Sequence, residues 1–438
     1  MAKPSRGAFC GSLEHGVSRR TFLGGVASGA AAIATDVSGV HAFASGQVNQ
    51  DLKRQDKRVI LLWLAGGASQ LETWDPKPGR PTGGPFRAIA TDVAGVHISE
   101  LMPKTAQRFG KSTAVIRSLN TKNGSHGGGA MLMMRGRNDE PNIKYPDMGA
   151  MASRELGRAD SKVPDYVAVY SQTEGRGGGK LTPGFLGSRH AAIQLTDKMT
   201  PPDLHRLEDV SELDHGERAD LRHLLGKRFT RGRELATLNS HATAYQRVQG
   251  LMASDQLFDV SREPEKIRER YGPTQFGQQV LMARRLAEAG VPFVRISRAW
   301  WDSHGQNFET HLELVTELDH VLSTLLEDLH ERGMLENTLV VTLAEFGRTP
   351  KINASLGRDH FANAWSASLS GCGVVPGSVY GKTDQDGNTV AEGEIGAGEL
   401  MATIFNAVGV DHEKEYYLGS RPIPLVNPGI HPVKDVLS

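Results

Sequence analysis

The chain's 438 residues carry 50 Lys and Arg against 50 Asp and Glu, a formal net charge of zero. That balance excludes a bulk electrostatic draw toward nucleic acid or an anionic membrane surface. Two cysteines exclude a disulfide-stapled scaffold, so stability must come from a packed core, and the length allows one large domain or two ordinary ones.

Residues 1–44 read as a twin-arginine signal peptide. Ser18-Arg19-Arg20-Thr21-Phe22-Leu23 sets two arginines before an apolar pair, and Gly24 to Val40 is weakly apolar. Ala42-Phe43-Ala44 then offers a small-x-small cleavage site. The stretch is Gly-rich and contains Asp36, which argues against a membrane anchor, because a span needs about 20 mostly apolar residues. The expectation is cleavage after Ala44 and passage through the twin-arginine translocase, which carries folded proteins, to the periplasm or the exterior. The 394 residues from 45 to 438 keep 46 basic and 48 acidic side chains and one cysteine, Cys372. No segment of them is apolar enough to span a bilayer.

Val59 to Ala65, VILLWLA, is the first of four segments read as buried strands, each continuously apolar and followed by a polar loop, here GGASQLETWD. Thr113 to Leu119 is the second, followed by NTKNGSHGGG. Asp165 to Tyr170 reads as a fifth, shorter strand, and EGRGGG at 174–179 as a mobile loop. Residues 203–270 are charged, strand-poor and helix-prone, and read as a helical insertion. Phe276, Val280, Ala283 and Ala287 repeat at helical spacing up to Gly290. Val291 to Ser297 is the third strand, followed by RAWWDSHGQN. A longer stripe runs through Phe308, Leu312, Val315, Leu318, Leu322, Leu325 and Leu329, with Gly333 after it. Thr338 to Ala344 is the fourth strand, followed by EFGRTP. Asp386-Gly387 predicts a surface hairpin, and Leu400, Ile404, Ala407 and Val408 a last helix closed by Gly409. Apolar strands alternating with amphipathic helices imply an α/β fold with a mainly parallel sheet flanked by helices.

In such sheets ligands bind outside the carboxyl ends of the strands. The loops there carry Ser69, Glu72 and Asp75; Asn123, Ser125 and His126; Asp302 and His304; and Glu345, with Asp359 and His360 further on. Gathered at one edge, they would form a mixed oxygen and nitrogen site for a divalent cation. Each has a plainer reading. Asp75-Pro76 suits a turn, and Asp302-Ser303-His304-Gly305 suits a helix cap. Glu345 ends a buried strand and needs a partner there, either a metal or Arg348. Asp359 and His360 stand beside Arg358, which could pair with the carboxylate.

From Val59 to about Gly429 the chain resembles the exported bacterial proteins grouped as domain of unknown function 1501. WLAGGASQLETWDPKPG (63–79), WDSHGQNF (301–308), EFGRTPKIN (345–353), GRDH (357–360) and GSRPIPLV (419–426) carry the likeness. More loosely the chain is similar to sulfatases and the alkaline phosphatase-like superfamily, through 112–137, Glu336 to Gly347, and Glu399 to Val410 with Gly419. It departs from sulfatases at Asn123-Gly124-Ser125-His126, which lacks the Cys/Ser-x-Pro-x-Arg context of their nucleophile. Glu345 replaces their usual Asp, and Phe346 stands where a second metal ligand would be.

The resemblance implies a sulfatase-like α/β domain over residues 45–438 and an exported metal-dependent hydrolase of an anionic small-molecule or glycan ester, sulfate or phosphate. Zn²⁺, Ca²⁺ or Mg²⁺ would bind Asp302, His304 and Glu345, with Asp359 or His360 and Glu72 or Asp75 completing the set. Ser125 is the candidate nucleophile, with Ser69 in reserve. His126 would act as its base or on the leaving group. Asn123, Arg117, Arg348 and Arg358 would hold the anion. The alternative is a non-catalytic protein that binds an anionic glycan or a metal on the same fold.

Overall fold

The computed structural model describes residues 56–158, 161, 163–169, 181–196, 199–201, 209–230, 250–252 and 255–438. The expected leader, the EGRGGG segment and parts of the expected helical insertion lie outside them. In chain order the main elements are β1 (Arg58–Leu64), β2 (Thr113–Leu119), α1 (His126–Arg135), α2 (Met148–Leu156), β3 (Tyr166–Val169), β4 (Ile193–Leu195) and α3 (Gln275–Glu288). They continue with β5 (Phe293–Arg298), α4 (Asn307–Glu331), β6 (Thr338–Leu343), β7 (Gly347–Arg348), β8 (His360–Phe361), β9 (Trp365–Gly371), β10 (Val379–Tyr380) and α5 (Ala397–Ala407).

Eight strands form one sheet in the order β10-β2-β9-β6-β1-β5-β3-β4. All neighbours pair in parallel except β9, which runs against both β2 and β6. Nearly every residue of β1, β3 and β6 is buried, so helices must cover both faces of the sheet, and that is why these strands are apolar without alternation. The five predicted strands appear within one or two residues of their expected bounds. Strand β9 was not expected from the sequence.

The helices form where capping and periodicity agree. The Thr274 side chain accepts from Gly277 N at 3.1 Å at the start of α3, whose Phe276, Val280, Ala283 and Ala287 are all buried. In α4 the predicted stripe is buried from Val315 to Leu329, but Leu312 is 52 % exposed. His311 and Leu314 take the inward positions on that turn instead. Within 203–270 the described residues hold helices at Glu212–Thr230 and Glu265–Tyr271, two short 3₁₀ turns and no strand. The predicted hairpin is present, Lys382–Thr383 pairing antiparallel with Val390–Glu392.

Candidate metal centre

Four parallel strands aim their following loops at one edge of the sheet. Gly66 follows β1, Ser125 and His126 follow β2, Asp302 and His304 follow β5, and Glu345 follows β6. His360 arrives by another route. It lies in β8, just before β9, and because β9 is reversed its first residue, Trp365, pairs with Leu119 at the carboxyl end of β2. The chain passes close to itself here. Gly66 has φ +113°, and a Cβ on it would stand 2.5 Å from Asp302 N, so only glycine fits.

Asp302 Oδ1, His304 Nε2 and His360 Nε2 form a triangle with every edge 3.1 Å. The remaining ring nitrogens fix the tautomers. His360 Nδ1 donates to Gly124 O at 2.7 Å, and His304 Nδ1 to Asp359 Oδ1 at 2.9 Å. Both partners accept only, so in the neutral rings each Nε2 presents a lone pair. Three lone pairs at this spacing repel unless a cation lies among them. Ligand bonds of about 2.0 Å in a tetrahedron place ligand atoms roughly 3.3 Å apart. Two nitrogens and one oxygen at nearly that separation therefore fit a zinc-type ion. His126 borders the triangle and also groups with Asp302 and His360 as a ligand-type side chain.

Charge is arranged tightly around Asp302. Arg348 Nη2 donates to its Oδ1 at 2.6 Å, and His126 Nε2 meets its Oδ2 at 3.2 Å. Partial burial alone would raise the Asp302 carboxyl, but hydrogen bonds from His126 and Arg348, with the Arg348 charge, hold it far below the usual carboxylate range. His126 Nδ1 meets Glu345 Oε1 at 2.8 Å, so both its nitrogens face carboxylates, and hydrogen bonds to Asp302 and Glu345 raise it to about 9. It is an imidazolium at neutral pH. Glu345 Oε1 also accepts from Gly66 N at 2.8 Å, and His126 links Glu345 to Asp302. The Phe346 ring lies 4.3 Å from that of His360 and 5.1 Å from that of His126, an apolar wall in this corner.

The other expected site residues lie as follows. The Glu72 and Arg358 side chains, both fully buried, pair with each other at 2.8 Å, and Arg358 also donates to the carbonyls of Thr349, Pro350 and Thr82. Asp75 accepts from Thr383 and Lys77. Arg348 donates to the carbonyls of Gly66, Gly67 and Arg358 besides Asp302, and Arg117 donates to His97 O. Each of these arginines donates to groups within the protein. Asn123 Oδ1 accepts from Ser125 N at 3.2 Å and Ser125 Oγ at 3.0 Å, which shapes the turn. Ser125 caps α1 by accepting from Gly128 N, and His126 makes no hydrogen bond to it. Ser69 is fully buried, its Oγ accepting from Leu71 N. Asp359 supports His304 rather than entering the triangle.

Sequence reasoning also missed supporting groups. Asn353 Nδ2 donates to His304 O at 2.9 Å and meets Asp359 Oδ1 at 3.3 Å. The Gly124 carbonyl has no signature in the sequence beyond its glycine-rich setting.

The family described as "Protein of unknown function (DUF1501)" matches residues 56–437. The chain belongs to this family. The residues of the triangle, and all that support them, fall inside the DUF1501 match. No curated protein matches the chain. Among solved structures the chain is similar to the PsFucS1 sulfatase from Pseudoalteromonas sp., at 12 % identity and TM-score 0.38, over 83 % of this chain and 72 % of that one. It is also similar to the phosphonate monoester hydrolase of Agrobacterium radiobacter, at 10 % identity and TM-score 0.37, over 86 % and 76 %. A protein of the alkaline phosphatase superfamily from Vibrio parahaemolyticus gives 10 % and 0.36, over 81 % and 66 %. At these values no residue role or activity passes to the DUF1501 chain.

Proposed function

We propose that the protein is an exported metal-dependent hydrolase of sulfate or phosphate esters. The observation that carries this reading is the 3.1 Å triangle of Asp302, His304 and His360, whose tautomers leave three lone pairs facing one another. In it these three side chains hold a divalent cation of zinc type, and Glu345 belongs to the support of His126. A bound ion supplies Lewis-acid polarisation of an ester oxygen.

The chain's own residues do the rest. The first-turn amides of α1, beside His126, attract the substrate's negative charge. His126, held protonated between Glu345 and Asp302, is poised to give a proton to a leaving alkoxide rather than to take one from Ser125. Ser125 is exposed at the N-cap of the same helix, where its hydroxyl can reach a bound ester. Ser18 to Leu23 and Ala42-Phe43-Ala44 support export of residues 45–438 through the twin-arginine translocase, as one α/β domain with a helical insertion at 203–270. No helix among the described residues is long and apolar enough to cross a membrane.

A second reading, non-catalytic binding of an anionic glycan or of the metal itself, draws on two observations. Among the described residues no base meets Ser125, whose Oγ donates to Asn123 Oδ1, and Arg117, Arg348 and Arg358 are engaged internally. Aryl sulfate and aryl phosphate hydrolysis by the zinc-loaded and the chelated protein separates the two. Chelation should abolish turnover and His360→Ala should lower it at least a hundredfold. Full activity in Ser125→Ala would remove that hydroxyl from the mechanism. Zinc binding through the triangle with no turnover of either ester would leave the binding reading standing.

A further inference from the structure

A second group of ligand-type side chains shares no residue with the centre above. His412, Glu413 and His431 each offer one ligand atom, and these atoms lie within 4.8 Å of one another. The imidazole rings stand 6.0 Å apart at 75°. Nε2 of His412 is shut off from solvent and has no hydrogen-bond partner among the described residues. A buried ring nitrogen in that state has lost its water and gained nothing in return, which calls for an explanation.

Helix α5 holds the group in place. Asn406 Nδ2, in its last turn, meets His412 Nδ1 at 3.0 Å and Val410 O at 3.5 Å, and Asp411 Oδ1 lies 3.8 Å from the same ring nitrogen. As placed, Asn406 Nδ2 donates to His412 Nδ1; metal binding at Nε2 requires this amide to turn over, so that its oxygen receives the Nδ1 proton and Nε2 is left as a lone pair. His431 is fastened between two contacts with the same helix. Ile430 lies against Gly398, where a Cβ would come within 3.3 Å of Ile430 Cγ2, and Val433 N donates to Thr403 Oγ1 at 2.9 Å. A turn closed by Ile430 N on Asn427 O at 3.2 Å, with Gly429 at φ +82°, redirects the chain toward His412. Pro432 disfavours helical backbone at His431.

We propose that His412, Glu413 and His431 bind a divalent metal of the zinc class, as a clasp tying residues 427–433 to the turn after α5. Two imidazole nitrogens and one carboxylate are zinc donors, whereas calcium and magnesium take oxygen-rich sets. Glu413 and His431 are exposed and close on the fixed His412 by side-chain rotation.

The test is zinc titration of the purified full chain by calorimetry and native mass spectrometry, with Zn²⁺ as the probe. His431→Ala should bind one zinc fewer than wild type, and Glu413→Gln should hold that same equivalent at least tenfold more weakly. Zinc should raise the thermal midpoint of His360→Ala but not of His360→Ala combined with His431→Ala. Both clasp substitutions are at exposed positions, and far-UV circular dichroism checks that the variants fold. Zinc stoichiometry and affinity in His431→Ala equal to wild type would overturn the clasp, as would magnesium displacing the zinc.

Discussion

A guanidinium away from water must find an acceptor for each N–H it turns inward. Arg348 meets this demand with the carbonyls of Gly66, Gly67 and Arg358 and with Asp302 Oδ1, so its charge fixes one carboxylate and two loops. The same cost of burial sets two opposed pH responses. Burial pushes the His311 imidazole down to about 4, while its Nε2 accepts from Ser69 N and its Nδ1 donates to Asn307 O. The unfolded chain therefore takes up that proton first, so the stability from His311 is complete above about pH 6.5 and is lost as pH falls through 4. Burial pushes Asp147, the N-cap of α2, up to about 6. Its folded carboxyl holds a proton that the unfolded one releases, so its contribution is greatest below about pH 3.8 and is lost as pH rises through 6. Each shift is on the order of 3 kcal/mol, and the two slopes oppose each other between about pH 4 and 6. Asp147→Asn should steepen the loss of stability from pH 6 to pH 4, and His311→Gln should reverse it. Urea midpoints at pH 4, 5 and 6 read both, and slopes equal to wild type in both variants would refute the opposition.

At the scale of elements, α1 shows a local preference overruled by packing. Alanine beats glycine inside a helix by about 1 kcal/mol, yet a Cβ on Gly129 would stand 2.9 Å from Glu345 O and 3.2 Å from Asn123 O. Gly129→Ala should therefore destabilise the protein by about 1–3 kcal/mol and weaken zinc binding, because the β6 loop must retreat from α1. A more stable variant with unchanged zinc affinity would show that the loop yields freely. The strands legible in the sequence are those buried on both faces, where an unbroken apolar run is what burial demands. Strand β9, WSASLSG, escaped because two of its serines, Ser368 and Ser370, are buried and satisfied across the sheet. Ser368 Oγ meets Thr342 Oγ1 at 2.6 Å and Ser370 Oγ meets Thr113 Oγ1 at 3.0 Å, so a buried strand reads as a loop.

At the scale of the whole molecule, the triangle draws Asp302, His304 and His360 from two connections of one sheet edge. That gathering was legible, because strand ends and loop chemistry are both written in the sequence. The partners of the arginines were not, since charge alone does not say whether an arginine faces a ligand or backbone carbonyls. Export makes its own prediction. Lys at both Arg19 and Arg20 should leave the protein in the cytoplasm at full mass, whereas the wild type should be recovered outside it, beginning at Ser45. Fractionation with intact-mass measurement checks this, and export of the double Lys variant at the wild-type level would rule out the twin-arginine reading. The reversed strand carries a further consequence. Residues 349–359 form the loop of a short hairpin in which β7 and β8 pair antiparallel, Arg348 opposite His360, just before the reversed β9. That pairing keeps His360 in register over Asp302 while the loop itself bears on His304 through Asn353 and Asp359, so changes of loop length would tune one imidazole of the triangle and leave the other in place.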